Sequence, residues 1–303
     1  MIYVTQGHCY GIGLETFLKA YLCQSHKFRE QIILICHLDD LKINLNFMPY
    51  KNSIYQDHIF INKIKLNCIF FEKSHTPNST TALHIALGLC KPNDILLTLP
   101  TSKDQIFYNK KQLNGHTEFF RKFFKQENLV MSFLAPDCNF LLLTDHIAIE
   151  DVSKKITQER IFQKVDFFIR YIHQSREIKE VFFSGINPHC GENGHISNDD
   201  SIIQTGASLL RKKFDSIVFH SMMAGDTLHF NIKNKNQLFV YSAHDQGLAP
   251  FKLKYGLIGI NLTLGMPFRR VSVDHGTAFD LWGKNKANYA GMLYLMEEIK
   301  NWK

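Results

Sequence analysis

The chain has no Cys-x-x-Cys pair. Its seven cysteines, Cys9, Cys23, Cys36, Cys68, Cys90, Cys138 and Cys190, are odd in number and widely spread, which argues against a zinc knuckle, a dithiol redox centre or a disulfide scaffold and for reduced thiols. There is no apolar run of the roughly 20 residues that a membrane helix needs; Ile95-Leu96-Leu97-Thr98-Leu99 is strand-sized and is closed by Pro100. The N-terminal Met1-Ile2-Tyr3-Val4-Thr5 lacks the basic and apolar segments of a secretion leader, so the expected location is the cytoplasm. The net charge of +7 is not gathered into a stripe with aromatics. Nucleic acid and membrane are therefore not expected partners, and what remains is a mild field that favours anionic ligands. No repeat or low-complexity linker marks a domain boundary, and 303 residues with 45% hydrophobic content suffice for one large core or two moderate ones.

What is present is a rhythm of short β-branched runs and helical patterns. Strands are predicted at Ile2 to Thr5, Ile32 to Cys36, Cys68 to Phe71, Asp94 to Leu99, Phe140 to Leu143, Glu180 to Phe183, Ser216 to Phe219 and Leu238 to Tyr241. Amphipathic helices are predicted after Asp151, with Ile161, Val165, Phe168, Ile169 and Ile172 on one face, and at the C-terminus, with Tyr289, Met292, Leu293, Met296 and Ile299. Alternation of this kind predicts an α/β protein with a largely parallel sheet, in which ligands sit outside the carboxyl ends of the strands.

Five constellations stand at such ends. Gly7-His8-Cys9-Tyr10-Gly11-Ile12-Gly13 follows a strand and opens a helix; its backbone could cradle a phosphate or simply form a tight turn, since the spacing is neither a dinucleotide fingerprint nor a P-loop. Thr144-Asp145-His146, Ser184 to Gly194 and Ser242-Ala243-His244-Asp245-Gln246-Gly247 each deliver a histidine directly after a strand. Three neutral imidazoles with an open position suit a catalytic divalent metal, although each of these histidines also reads as a surface or hydrogen-bonded turn residue. The stretch Asn261 to Asp280 combines two arginines with a Ser-Val-Asp-His-Gly-Thr turn. Such residues suit carboxylate, phosphate or ribose contacts, and taken alone the stretch reads as a polar loop.

In Gly115-His116-Thr117-Glu118, Asn187 to Gly194, His244-Asp245-Gln246-Gly247-Leu248 with Lys252, and Asn261 to Asp280, the sequence resembles the 4-hydroxythreonine-4-phosphate dehydrogenase family of vitamin B6 biosynthesis, in the family's order over nearly the whole chain. The resemblance implies two α/β/α domains with a cleft between them, as in isocitrate and isopropylmalate dehydrogenases. These domains are expected to be discontinuous, about 1–115 plus 260–303 and about 116–259. It also implies a homodimer whose subunits share the site.

By the same resemblance His146, His189 and His244 would hold a divalent metal (Zn, Mg, Mn or Co). His116, Thr117, Lys252, Asn261 and Arg270 would hold a small phosphorylated substrate, and Asp226 would face it. Thr98, Pro100 and Lys103 match a motif near the cleft, and Val273, Asp274, His275, Gly276, Thr277 and Asp280 would lie against NAD or NADP. Asp245, Lys252 and Asp226 are the candidate catalytic groups, with Asp245 either a general base or the residue that orients a ligating imidazole.

The implied reaction is metal-assisted oxidation of 4-phosphooxy-L-threonine to 2-amino-3-oxo-4-phosphooxybutanoate, which decarboxylates to 3-amino-2-oxopropyl phosphate. Departures occur where the family's N-terminal Gly-Asp-Pro-Ala-Gly-Ile-Gly-Pro-Glu becomes Gly7-His8-Cys9-Tyr10-Gly11-Ile12-Gly13-Leu14-Glu15, and again at Thr98-Leu99-Pro100 and Ser221 to Gly225. They motivate an alternative substrate, threonate or erythronate 4-phosphate. An alternative of a different class is a metal-dependent hydrolase, which accounts for the histidines but not for the C-terminal block.

Overall fold

A computed structural model describes residues 1–172 and 175–302. The chain divides into two compact units, Met1–Glu127 with Met266–Asn301, and Asn128–Gly265 with Trp302. The helix that opens at His116 thus belongs to the first unit, and the crossings at 127/128 and 265/266 fall close to strands.

In the first unit the strands run in the order Arg269–Val273, Ile95–Thr98, Ile2–Thr5, Ile32–His37, Ile64–Phe71, His58–Ile61 and Asn52–Ile54. The first five are parallel, and the last two close the edge as antiparallel hairpins. Ile32–His37 and Ile95–Thr98 are buried almost throughout, as strands covered on both faces must be. Helices Gly13–Leu22, Asn78–Leu89 and Ala290–Ile299 present Phe17, Leu18, Leu83, Met292 and Met296 to this core.

In the second unit the order is Val218–Phe219, Glu180–Phe183, Gln237–Tyr241, Cys138–Leu142, Val130–Ala135 and Ile260–Leu264. The first four are parallel and the last two antiparallel. Its core is aromatic: Phe133, Phe140, Phe182, Phe239, Tyr241 and Phe251 pack together. Each such ring contributes on the order of 1.5–3 kcal/mol by leaving water. Helix Gln158–Ile172 covers the sheet with the predicted face of Ile161, Val165, Phe168, Ile169 and Ile172.

One expectation is corrected. The stretch from Asn261 to Asp280 is not a loop throughout, because Ile260–Leu264 and Arg269–Val273 are buried strands joined by a turn at residues 265–268. Ile-Asn-Leu-Thr-Leu alternates apolar and polar residues as a strand does, and Arg-Arg-Val-Ser-Val does so from its second residue. No helix among the described residues is long and apolar enough to cross a membrane.

Candidate active site

In the second unit the strands ending at Leu142, Tyr241 and Phe183 are direct neighbours, so their following turns emerge side by side. A small polar network binds those turns. Ser184 Oγ donates to Gln246 Oε1 at 2.8 Å, and Gln246 Oε1 also accepts from Ser242 N at 3.0 Å and Ala243 N at 3.4 Å. Gln246 Nε2 donates to Gly185 O at 2.9 Å, and Thr144 Oγ1 donates to Ser242 O at 2.6 Å. The amide of one glutamine thereby joins the turn that carries His189 to the helix that opens at His244. Gly225 lies against it so closely that a Cβ there would stand 2.2 Å from Gln246 Nε2, which fixes the loop that bears the exposed Asp226.

The imidazoles of His146 and His244 come together, with ring centroids 5.2 Å apart. His244 Nδ1 is 2.7 Å from Asp245 Oδ1, and His189 Nδ1 is 2.7 Å from Glu192 Oε1. With a proton shared between Nδ1 and a carboxylate, Nε2 carries the lone pair, the arrangement that ligating histidines adopt. Backbone strain marks both places. His146 has φ +43°, and His189, Cys190, Gly191, Glu192 and Asn193 form a left-handed turn with φ between +47° and +77°. Non-glycine residues occupy that region at a cost and cluster at functional sites. Asp200, 2% exposed, holds the turn by accepting from Ile186 N at 2.6 Å and Asn187 Nδ2 at 2.8 Å.

Among the described residues, no group of three or more histidine, cysteine or acidic side chains gathers closely enough to bind a metal. The chain brings His146 and His244 together and does not add His189 to them. The donor chemistry of the pair nevertheless fits a borderline divalent cation. Lys252 is exposed on helix His244–Tyr255, and Asn261 lies on strand Ile260–Leu264 with a buried Oδ1 that accepts no hydrogen bond.

In the first unit the polar residues form a different kind of cluster. Arg270, 4% exposed, donates from Nε and Nη2 to Thr98 Oγ1 at 3.0 and 2.6 Å, and its guanidinium stands 5.9 Å over the Phe120 ring. Burial pulls its pKa down to about 9. His116, the first residue of helix His116–Phe124, is held well below the usual histidine range by burial and then by Arg270, so it is a neutral donor or acceptor. Thr117 follows it and is buried. A desolvated guanidinium, a neutral imidazole, a hydroxyl and the amides of a helix start make a receptor for a phosphate or carboxylate.

The glycine loop turns out to be a packing device. His8 N donates to Pro100 O at 3.0 Å, and a Cβ at Gly7 would lie 1.9 Å from that carbonyl, so only glycine fits. Ile12 N donates to Thr277 O at 2.9 Å, which ties this loop to the 273–280 segment. There Ala278 is left-handed at φ +44°, and His275 Nδ1 donates to Gly276 O at 2.9 Å, leaving Nε2 a buried acceptor without a hydrogen-bond partner. Such an atom suits a ribose hydroxyl or a base amine. Lys103 and Asp280 are both exposed.

The Ser184, Ser242 and Gln246 network and Asp200 were not singled out from the sequence, because a serine or an amide in a turn carries no periodic signal. Lys164 was legible in principle: it is a lysine placed within an apolar helical face.

A family profile described as pyridoxal phosphate biosynthetic protein PdxA matches residues 20–297. A 4-hydroxythreonine-4-phosphate dehydrogenase of Sulfurihydrogenibium is 30% identical across 97% of this chain and 95% of its own length. That of Aquifex aeolicus is 32% identical across 98% and 97%. Among solved structures, the 4-hydroxythreonine-4-phosphate dehydrogenase of Klebsiella pneumoniae shares the fold with a TM-score of 0.75 at 24% identity, covering 99% of both chains. The isocitrate dehydrogenase of Methylococcus capsulatus shares it more distantly, with a TM-score of 0.52 at 11% identity over 99% of this chain and 85% of that one. With a family profile covering most of its length and relatives aligned nearly end to end, the chain belongs to the PdxA family, the 4-hydroxythreonine-4-phosphate dehydrogenases, and is an oxidoreductase of that kind.

Proposed function

We propose that this chain oxidises 4-phosphooxy-L-threonine to 2-amino-3-oxo-4-phosphooxybutanoate with NAD or NADP, and that this β-keto acid loses carbon dioxide to give 3-amino-2-oxopropyl phosphate on the way to pyridoxal phosphate. The observation that carries the reading is the buried Arg270, held by Thr98 beside a neutral His116. A guanidinium kept out of water is matched by a phosphate dianion far better than by a neutral substrate. His116 and Thr117 add neutral hydrogen bonds without competing for the charge. Lys252 and Asn261 are assigned to further substrate oxygens, and Asp226 to the face of the substrate, by resemblance to the family.

His146 and His244 are the proposed metal ligands, with His189 the third in a homodimer that shares its sites, acting in the cytoplasm. When bound, the cation supplies the Lewis acidity that makes the substrate hydroxyl acidic near neutral pH, and the nicotinamide supplies the hydride acceptor. Val273, Asp274, His275, Gly276, Thr277 and Asp280 are the residues proposed to lie along the dinucleotide. The hydrogen bond from His244 to Asp245 favours Asp245 as the group that orients the imidazole over its use as a general base. In the reaction the hydroxyl gives up its proton and the carbon that bears it gives up a hydride; the carboxylate of the resulting β-keto acid then departs as carbon dioxide.

The test is a substrate panel. Purified protein with a divalent metal is offered 4-phosphooxy-L-threonine, threonate 4-phosphate or erythronate 4-phosphate, each with NAD and with NADP, while reduced nicotinamide and carbon dioxide are followed. Equal amounts of both products from the amino acid are expected. Turnover of the sugar acids alone would replace the substrate, and phosphoester or amide hydrolysis without any cofactor would replace the reaction class.

A further inference from the structure

Helix Gln158–Ile172 packs Ile161, Val165, Phe168, Ile169 and Ile172 into the second unit's core, and Lys164 stands in the same stripe, 1% exposed. Lysine is almost never buried so fully unless a partner compensates its charge. Its ammonium donates to Leu142 O at 3.2 Å and lies 3.9 Å from Asp145 Oδ2, on a carboxylate that is itself buried. These two contacts bracket a turn. Leu142 ends its strand, Asp145 immediately precedes His146, and Thr144 between them donates to Ser242 O, two residues before His244.

His146 needs such support. It is a non-glycine residue at φ +43°, a conformation that persists only where the surroundings impose it. Its ring nevertheless sits 5.2 Å from that of His244. The core does not require the charge, because an apolar side chain at position 164 would continue the stripe, and exchanging a buried ion pair for hydrophobic residues is often neutral or stabilising.

We propose that Lys164 is a positioning residue: its buried pairing with Asp145 locks the Leu143-Thr144-Asp145 turn, presents His146 to His244, and so sets the affinity and geometry of the divalent-cation site. This rests on the reading of His146 and His244 as metal ligands.

The experiment loads the full-length protein with Co2+ and measures its Kd and visible d–d bands in the wild type, Lys164→Met, the charge-free double variant Asp145→Asn/Lys164→Met, and His146→Ala. The two Lys164 variants are expected to bind Co2+ roughly ten- to a hundredfold more weakly, the usual effect of removing support from a metal ligand. Their d–d bands should shift, and the double variant should melt no lower than the wild type. Should Lys164→Met alone not fold, the double variant carries the test. A double variant with the wild-type Kd and spectrum overturns the proposal. So does a double variant that fails to fold, since the pair then serves the core. If His146→Ala binds Co2+ as the wild type does, the ligand reading itself falls and takes the proposal with it. That failure is read at His146, independently of Lys164.

Discussion

Arg270 in the first unit and His146 in the second are both held where their own chemistry disfavours them, but in different ways. Arg270 sits on a regular strand, and its penalty is the desolvation of a charge, visible in a pKa pulled down to about 9. His146 sits in a turn, and its penalty lies in the backbone, at φ +43°. The first arrangement is relieved by an anion and the second is suited to fixing the direction of a lone pair. On the proposed function Arg270 would meet the negative charge of the substrate and the strained turn would aim the His146 imidazole, and the two can be disturbed separately.

The sharpest way to break that division is to remove an imidazole. His146→Ala is expected to lower kcat/KM by about a thousandfold, roughly 4 kcal/mol, mostly in kcat. Steady-state kinetics at saturating metal would check it. Arg270→Met should lower kcat/KM by roughly a hundredfold, mainly through KM, because charge-assisted bonds to the phosphate are lost. A change confined to kcat would place Arg270 in the chemistry instead.

Titration probes the same residue without mutation. Burial disfavours the charge on Arg270, yet a guanidinium keeps its proton through neutral pH, so kcat/KM should show no break from this residue up to about pH 8. His116 should give no break at its ordinary value of 6.5, since burial and Arg270 hold it well below. Asp245→Asn should weaken metal binding by about tenfold, as loss of an orienting carboxylate does; isothermal titration would measure it. The smallest effect is expected at Cys190, beside His189. Burial and then the Asp200 carboxylate push its thiol up, away from the reactive thiolate. Cys190→Ser should keep activity within about twofold in the same assay, and a larger loss would give the thiol a role.

How much of this was legible follows the same contrast. Parallel strands rich in β-branched residues, such as Ile2–Thr5 and Ile32–His37, declared themselves, and the position of histidines just after strands located the turns of the second unit. Val130–Ala135 did not, because Val-Met-Ser-Phe-Leu-Ala is buried throughout and offers no alternation to read. Arg269–Val273 was hidden by its arginines, which look like surface residues in the sequence but are both buried. The meeting of His146 with His244 depends on strand order, which no local pattern encodes. The left-handed turn at His189 to Asn193 was equally silent, since only one of those five residues is glycine. The division at residues 127/128 and 265/266 likewise carries no compositional mark.

The central claim is that phosphate recognition by Arg270, in the first unit, and metal binding by His146, in the second, are separable. Isothermal titration of wild type, Arg270→Met and His146→Ala with inorganic phosphate and with Zn2+ tests it most directly. Arg270→Met should keep the wild-type Zn2+ affinity and lose phosphate, while His146→Ala should do the reverse. A single substitution that abolishes both affinities in a folded protein would contradict the account.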